Sequence, residues 1–438
     1  MNSIDDGLLA KVSEEIAVMA QLLDTGDFDL FLAAASRFYM DFVRVDERHE
    51  HHERMFSLIS PVLSRYGELI RDGLGIPEKV KKSETACYFI PSLDNDLAHI
   101  ELLANTLKAG PTEVRKKYAI AGFSKRRNAI GSQRLTELAK NYDIPVITLD
   151  HSHAGILEFC RWFHRSEIAL LIHYSIPTLL PTWLSVFGPS RVSWYITKFE
   201  LSCFEHLRHG ISGIGAEYQI IRTKNVSWHR APAALPLSYD FNYQQDRKEP
   251  IRMISINREE KLRNPEFLGA ISEVLSKSSA VEFHWTGRTK DEEIVMAFRC
   301  KGVESHTKFL GWVNHVHTLP KYSLFVDTFG LSGMVAAAAF AAGMPIVFMR
   351  GSGSWLESFE SQIIREMNVI DESISQKLCS VLADSKDDYI YKVNRIIRQI
   401  RDGTFSGFWQ QQIGREWFFN SARAFERQER AINGILGK

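Results

Sequence analysis

The sequence predicts an α/β protein with two parallel-sheet lobes behind an N-terminal all-helical module. Three observations carry that prediction. The chain is 438 residues long, more than one hydrophobic core usually organises. Its first eighty or so residues repeat apolar positions at helical spacing, and from there short apolar runs alternate with helical segments. A polar, strand-poor stretch, SYDFNYQQDRKEP (238–250), then divides that alternation into two series.

The helical module comes first. LLAKVSEEIAVMAQLL, FLAAASRFYMDFV and MFSLISPVLSRYGELI keep three-and-four apolar spacing with almost no strand-like alternation. TGDFD (25–29) supplies a turn at Gly26 and a helix cap at Asp27. The expected boundaries are 1–83 for this module, 84–240 for the first lobe, 241–385 for the second and 386–438 for charged C-terminal helices packing across the lobes.

In the first lobe the strands expected are ACYFIP (86–91), KYAIAGF (117–123), IPVITL (144–149), IALLIHY (168–174), RVSWYI (191–196) and EYQIIRT (217–223). In the second they are RMISIN (252–257), VEFHWTG (281–287), SHTKFLG (305–311), SLFVDTF (323–329) and MPIVFM (344–349). Buried, β-branched-rich strands alternating with helices indicate a parallel sheet covered on both faces. Such sheets bind ligands at the carboxyl ends of their strands, so a ligand cleft between the lobes is expected.

Composition removes several classes of function. Lys plus Arg and Asp plus Glu each number 53, so no net charge favours nucleic acid or an anionic surface as bulk partner. Cys87, Cys160, Cys203, Cys300 and Cys379 are widely spaced with no CxxC pair, which fits free, buried thiols in a reducing compartment. Acids stand near the start where a signal peptide has bases, so no export signal is read and a cytoplasmic location is expected. Residues 168–187 lack charged side chains over about a bilayer's length, yet His173, Pro177 and Pro181 interrupt them. A buried strand and a Pro-broken turn describe them better than a span; peripheral membrane contact stays open.

The chemistry is read from the loops after the strands. SINREEKLRNPEFL places Arg258 and Lys261 just before a helix opened by Asn264-Pro265, where partial positive charge favours an anion. A diphosphate there would gain charge-assisted hydrogen bonds, and the cations would offset charge on a departing nucleoside diphosphate. Taken alone, an RxxK is more often two solvent-facing cations. WTGR adds Gly287, which permits close approach to a ligand, and Arg288, which can reach a phosphate. In FLGWV the strand ends at Gly311, leaving the backbone of Trp312 and Val313 for a base edge. A short helix (314–321) precedes a strand carrying Asp327 near its end. FGLSG (Gly330, Leu331, Ser332, Gly333) then forms a small-residue turn able to aim N–H groups at phosphate. The alanines of MVAAAAFAAG read equally as a helix lying close to the sheet.

This order of FLGWV, a late Asp, FGLSG and AAG-MPIV resembles the C-terminal lobe of GT-B glycosyltransferases. KLRNPEFLGAI followed by VEFHWTG is similar, more narrowly, to soluble bacterial protein N-glycosyltransferases that glucosylate adhesins, relatives of eukaryotic O-GlcNAc transferase. HYSIPTLLP and YITKFELS resemble family segments lining the cleft; the likeness spans about residues 165–370. The resemblance implies two Rossmann-like lobes, a nucleotide-sugar donor (a UDP-sugar favoured) and a protein or cell-surface glycan acceptor. It also implies a diphosphate-binding role for Lys261, matching an essential family lysine. The pattern departs at Met334–Ala339, where the family carries a carboxylate that grips the ribose. Ser332 is the candidate substitute, and the family's UDP-glucose is not carried over.

On the acceptor side, PSLDNDLAHIE offers Asp94, Asp96 and His99 as general bases, with helix capping the rival reading for either Asp. Asp94-Asn95-Asp96 matches a short metal-binding DxD, but the RxxK loop points to neutralisation without a metal, so no metal and no cofactor are expected. ERHEHHER (His49, His51, His52) reads as a solvated helix face. HSH at 151–153 either lines the cleft or caps the next helix. GISGIGAEY (210–218) contains GxG but leads into a strand, so the dinucleotide fingerprint fails. A nucleotide-sugar epimerase and a non-catalytic scaffold share this architecture and remain alternatives.

Overall fold

The computed structural model describes residues 6–43, 49–76, 83–90, 92–94, 98–124, 130–174, 192–196, 209–212, 227–245, 249–329, 333–350 and 372–438. The described residues within 1–213, 219–232 and 422–438 form one compact unit, and those within 233–421 form a second.

The first unit opens with α1 (Asp6–Thr25), α2 (Phe28–Phe38) running on into a π turn, and α3 (His49–Leu74). Gly26, at φ +78°, makes the turn between α1 and α2 as its backbone freedom allows. Asp27 stands at the cap position of α2, but its carboxylate accepts from the Thr25 hydroxyl (2.7 Å) and caps no helix N–H, contrary to expectation. The expected solvated histidine face is also corrected at His51. Its side chain is buried and its Nε2 donates to the Phe42 carbonyl, because α3 turns that face onto the preceding segment. Phe31, Phe38 and Tyr66 of these helices share one core with Phe89, Phe159 and Cys160.

The sheet of this unit takes β1 (Ala86–Ile90), β2 (Tyr118–Phe123), β3 (Val146–Leu149), β4 (Leu170–Tyr174), β5 (Val192–Ile196), β6 (His209–Ser212) and β7 (Ser227–Arg230). Its order is β3-β2-β1-β4-β5-β6-β7 and every pairing is parallel. Between the strands run α4 (Ala98–Lys108), α5 (Thr112–Arg115), α6 (Gln133–Asn141) and α7 (His153–Arg165). β1, β2 and β4 are buried along their whole length, which is why they read as unbroken apolar runs. β6 and β7 were not expected: HGIS and SWHR are too short and polar to carry a periodic signal. The expected strand at 217–223, and residues 175–187 of the apolar stretch, lie outside the described residues.

The second unit has a sheet of β8 (Ile251–Ser255), β9 (Val281–Trp285), β10 (Thr307–Phe309), β11 (Leu324–Val326), β12 (Ile346–Met349) and β13 (Leu382–Ala383). The order is β10-β9-β8-β11-β12-β13, again all parallel. β13, two residues long, left no trace in the sequence pattern. The helices here are α8 (Glu259–Leu262), α9 (Pro265–Ser276), α10 (Glu292–Cys300), α11 (His315–Thr318), α12 (Met334–Ala341), α13 (Glu372–Cys379), α14 (Lys386–Asp402) and α15 (Phe408–Phe418). Ala336–Ala341 of α12 are almost wholly buried. Gly414 of α15 lies so close that a side chain there would sit 2.6 Å from the Ala341 Cα. The alanines are thus a packing device.

The expected C-terminal group divides. α14 and α15 belong to the second unit, whereas α16 (Ser421–Leu436) belongs to the first. There the Tyr88 hydroxyl donates to Gln428 Oε1 (2.9 Å), and Tyr118 meets Phe425 edge-on. Cys87 and Cys160 are buried free thiols, but Cys300 and Cys379 are exposed because they end surface helices; Cys203 lies outside the described residues. No described helix is long and apolar enough to cross a membrane.

Candidate functional site

A parallel sheet opens a crevice where adjacent strands send their connections to opposite faces. In the second sheet that reversal falls between β8 and β11, the first and fourth strands of the unit. At their carboxyl ends lie Ser255, Asp327 and Thr328, with Thr286 at the end of the adjacent β9, all buried. Polar side chains buried together at strand ends are costly unless bonded. Asn257 joins them: its Nδ2 donates to Ser255 Oγ (3.1 Å) and reaches Asp327 Oδ1 (3.5 Å). Its backbone carbonyl accepts from Thr286 Oγ1 (3.3 Å). Tyr389 of α14, fully buried, donates to the Asp327 carbonyl (2.8 Å) from below. Asn257 and Thr286 lie inside the expected strands 252–257 and 281–287, whose observed ends at Ser255 and Trp285 leave both in the loops that follow.

The cations follow directly. Arg258, exposed, is the residue on which α8 begins, and Lys261, half-buried, sits in its last turn. The segment expected as an open loop is therefore one turn of helix, closed by Lys261 N–H donating to the Arg258 carbonyl (3.1 Å). Asn264 caps α9 as expected, accepting from Glu266 N (2.9 Å) and Phe267 N (3.1 Å) with Pro265 at the first position. Those two N–H groups are thereby taken, so the cationic side chains, more than the bare helix end, are what an anion meets here.

Gly287 lies against the Glu259 carboxylate. A Cβ at Gly287 would stand 3.0 Å from Glu259 Oε2, and that carboxylate accepts from the Arg288 N–H (3.0 Å). Its own backbone N–H first, and then that of Arg288, hold the Glu259 carboxyl below its usual range. The Arg288 side chain is exposed. Gly311, at φ +71°, occupies a left-handed turn that favours glycine, and its carbonyl accepts from Gly287 N (3.4 Å). Trp312 follows with its indole 77% exposed, then half-buried Val313. Gly330, Leu331 and Ser332 lie outside the described residues. Gly333 stands at the start of α12, which no side chain caps and which carries no carboxylate.

The first sheet has its own reversal, between β1 and β4. Asp94, four residues past β1, accepts from Ser124 Oγ (3.1 Å) at the end of β2 and from Ser92 Oγ (3.4 Å). His99 rides on α4, and burial pushes its pKa down to about 4. His173 of β4 is fully buried against Phe89 and pushed to about 3, by burial first and by His99 second. Asp96 lies outside the described residues. The HSH segment is structural: Ser152 caps α7 through Gly155 N (3.1 Å). His153 Nδ1 pairs with the Tyr66 hydroxyl (2.9 Å), its N–H donates to Asp29 (2.7 Å) and its ring stacks on Phe28. Among the described residues no three His, Cys, Asp or Glu side chains gather in a metal-ligating group.

No family model matches the chain, and no curated protein matches it in sequence. Solved structures do match in fold. A lysine-to-methionine mutant of the Thermobaculum terrenum O-GlcNAc transferase superposes with a TM-score of 0.60 at 12% identity, covering 97% of this chain and 85% of that one. The apo lipopolysaccharide outer core galactosyltransferase WaaB gives 0.55 at 12% identity over 80% of this chain and 99% of its own. A glycosyltransferase from Rickettsia africae gives 0.54 at 8% identity over 81% and 99%. Identity this low speaks for architecture alone. The chain has the GT-B fold of two parallel, Rossmann-like sheets, with helices added at its N-terminus.

Proposed function

We propose that this protein is a glycosyltransferase that takes a sugar from a nucleotide-sugar donor, a UDP-sugar favoured, held by the second unit. The observation that carries the reading is the end of β8. There Asn257 bonds to Ser255 and Asp327 at the sheet's reversal point, and the next turn of chain presents Arg258 and Lys261. A departing nucleoside diphosphate is an anion of high charge, and fixed cations beside it lower the barrier to its departure. That arrangement supplies the neutralisation without a metal. Trp312, Val313 and Gly311 offer an exposed indole and backbone groups for the base, while the FGLSG sequence (Gly330, Leu331, Ser332, Gly333) is the stretch assigned to phosphate or ribose.

The acceptor is a protein side chain or a cell-surface glycan, a choice favoured by neighbours titled O-GlcNAc transferase and lipopolysaccharide galactosyltransferase. His99, Asp94 and Asp96 are the candidates to take its proton. His99 is uncharged at neutral pH and so in its accepting form, though a pKa near 4 makes it a weak base. Calorimetry against UDP, GDP, CMP and their sugars, followed by donor turnover with and without EDTA, tests the reading. Binding of one nucleotide family with slow, EDTA-resistant hydrolysis of its sugar is expected. Binding of none would leave a non-catalytic scaffold, isomerised sugar an epimerase, and strict metal dependence would return the DxD.

A further inference from the structure

We infer that Asn257 is the positioning residue of the diphosphate site. It locks the carboxyl ends of three strands together and thereby fixes the one-turn helix that carries Lys261. This deepens the proposed donor reading and rests on it.

A single turn of helix has little stability of its own, since nucleation fixes several dihedrals for one hydrogen bond. α8 is such an element: four residues closed by the Lys261 N–H to Arg258 carbonyl bond. Two of its own residues anchor it, Glu259 accepting from the Arg288 N–H (3.0 Å) and Leu262 buried in the core, and what flanks it sets where it starts and ends. Behind it lies Asn264, engaged in capping α9. Ahead of it lies Asn257, two residues past β8. The amide of Asn257 donates to Ser255 on its own strand and reaches Asp327 past β11, while its carbonyl accepts from Thr286 past β9. Ser255, Thr286 and Asp327 are buried, so these bonds form where water competes little. Asn257 therefore fixes the point at which the chain leaves the sheet, and Lys261 follows four positions later. An amide suits the place: a carboxylate would face Asp327 with like charge, and an apolar side chain would leave Ser255 and Asp327 without this donor.

A double-mutant cycle tests the inference, with UDP and GDP as probes in calorimetry. Asn257→Ala is expected to weaken diphosphate binding about tenfold in the wild-type background and to change it little in a Lys261→Ala background. Thr286→Val, which removes only the hydroxyl bond to the Asn257 carbonyl, is expected to show the same dependence on Lys261 at about threefold. It serves in place of Asn257→Ala should that variant unfold. A merely structural asparagine would lower thermal stability and weaken both backgrounds equally. Additive losses, or no loss in either variant, would overturn the inference while leaving the donor site standing. Failure of wild-type protein to bind either diphosphate would overturn the donor reading, and the inference with it.

Discussion

Lys261 is where the proposed chemistry meets a single side chain. Removing a charge that stabilises a departing diphosphate costs about 10²-fold or more in turnover, so Lys261→Ala is expected to lose that much while keeping its melting temperature. Steady-state rates beside a thermal melt check it, and wild-type turnover would take Lys261 out of the site. The buried histidines of the first unit make a different claim. His99 and His173 have values of about 4 and about 3, below the ordinary 6.5, because burial disfavours the charged ring. Between those values and 6.5 the unfolded chain binds more protons than the folded one, so stability rises with pH there and is lost as pH falls. The denaturant midpoint should drop as pH is lowered from 6.5 toward 4, and His173→Phe should flatten that slope. An unchanged slope in the variant would contradict the assignment. Asp94 and His153 show how little local sequence says of a polar side chain's partners: they bond to Ser124 and Tyr66, distant in sequence.

At the scale of elements, the second unit depends on the close approach of α12 and α15. Gly414 meets Ala341 and Phe340 with no room for a methyl group, and Gly407 lies directly against the Gly343 carbonyl, with Gly343 itself at φ +78°. Gly414→Ala should therefore destabilise the protein by about 1–3 kcal/mol through overpacking, read as a lowered denaturant midpoint with unchanged slope. The reason is backbone proximity, so a larger residue should cost more. The same packing leaves positions 336–341 of α12 facing protein, where a charge would be costly. Only Met334 and Val335, half-exposed at its first turn, keep access to solvent.

At the scale of the molecule, the chain does not fold as consecutive blocks. Its last helix, α16, completes the first unit, where Ala424, Phe425, Ala431 and Ile432 are buried. Deleting residues 422–438 should expose the faces of β1 and β2 around Tyr88 and Tyr118. Amide protection should then fall in those strands and persist in β8 and β9, as hydrogen exchange can report. Equal loss in both sheets would mean that the two units share a single unfolding step. The N-terminal helices likewise share a core with β1 and α7, so they are part of that unit's stability.

What the sequence determined was the set of elements whose burial leaves a periodic mark. The apolar strands β1 to β4 and β8 to β12, the three-and-four stripes of α1 to α3, and the Asn264-Pro265 cap are all local, and each was legible from neighbours a few residues away. Of the candidate site, the cationic turn, Gly311 and Asp327 were legible because they follow such strands. Only the tertiary structure decided the rest. β6, β7 and β13 exist because existing strands offer them an edge, and their own short, polar or two-residue sequences carry no signal. Asn257 becomes a junction because Ser255, Thr286 and Asp327, the last of them 70 residues away from it, converge on it. Gly287 meets the Glu259 carboxylate for the same reason. Periodicity records which face of an element is buried, whereas the partners of a polar side chain are fixed by where the whole sheet brings its strand ends.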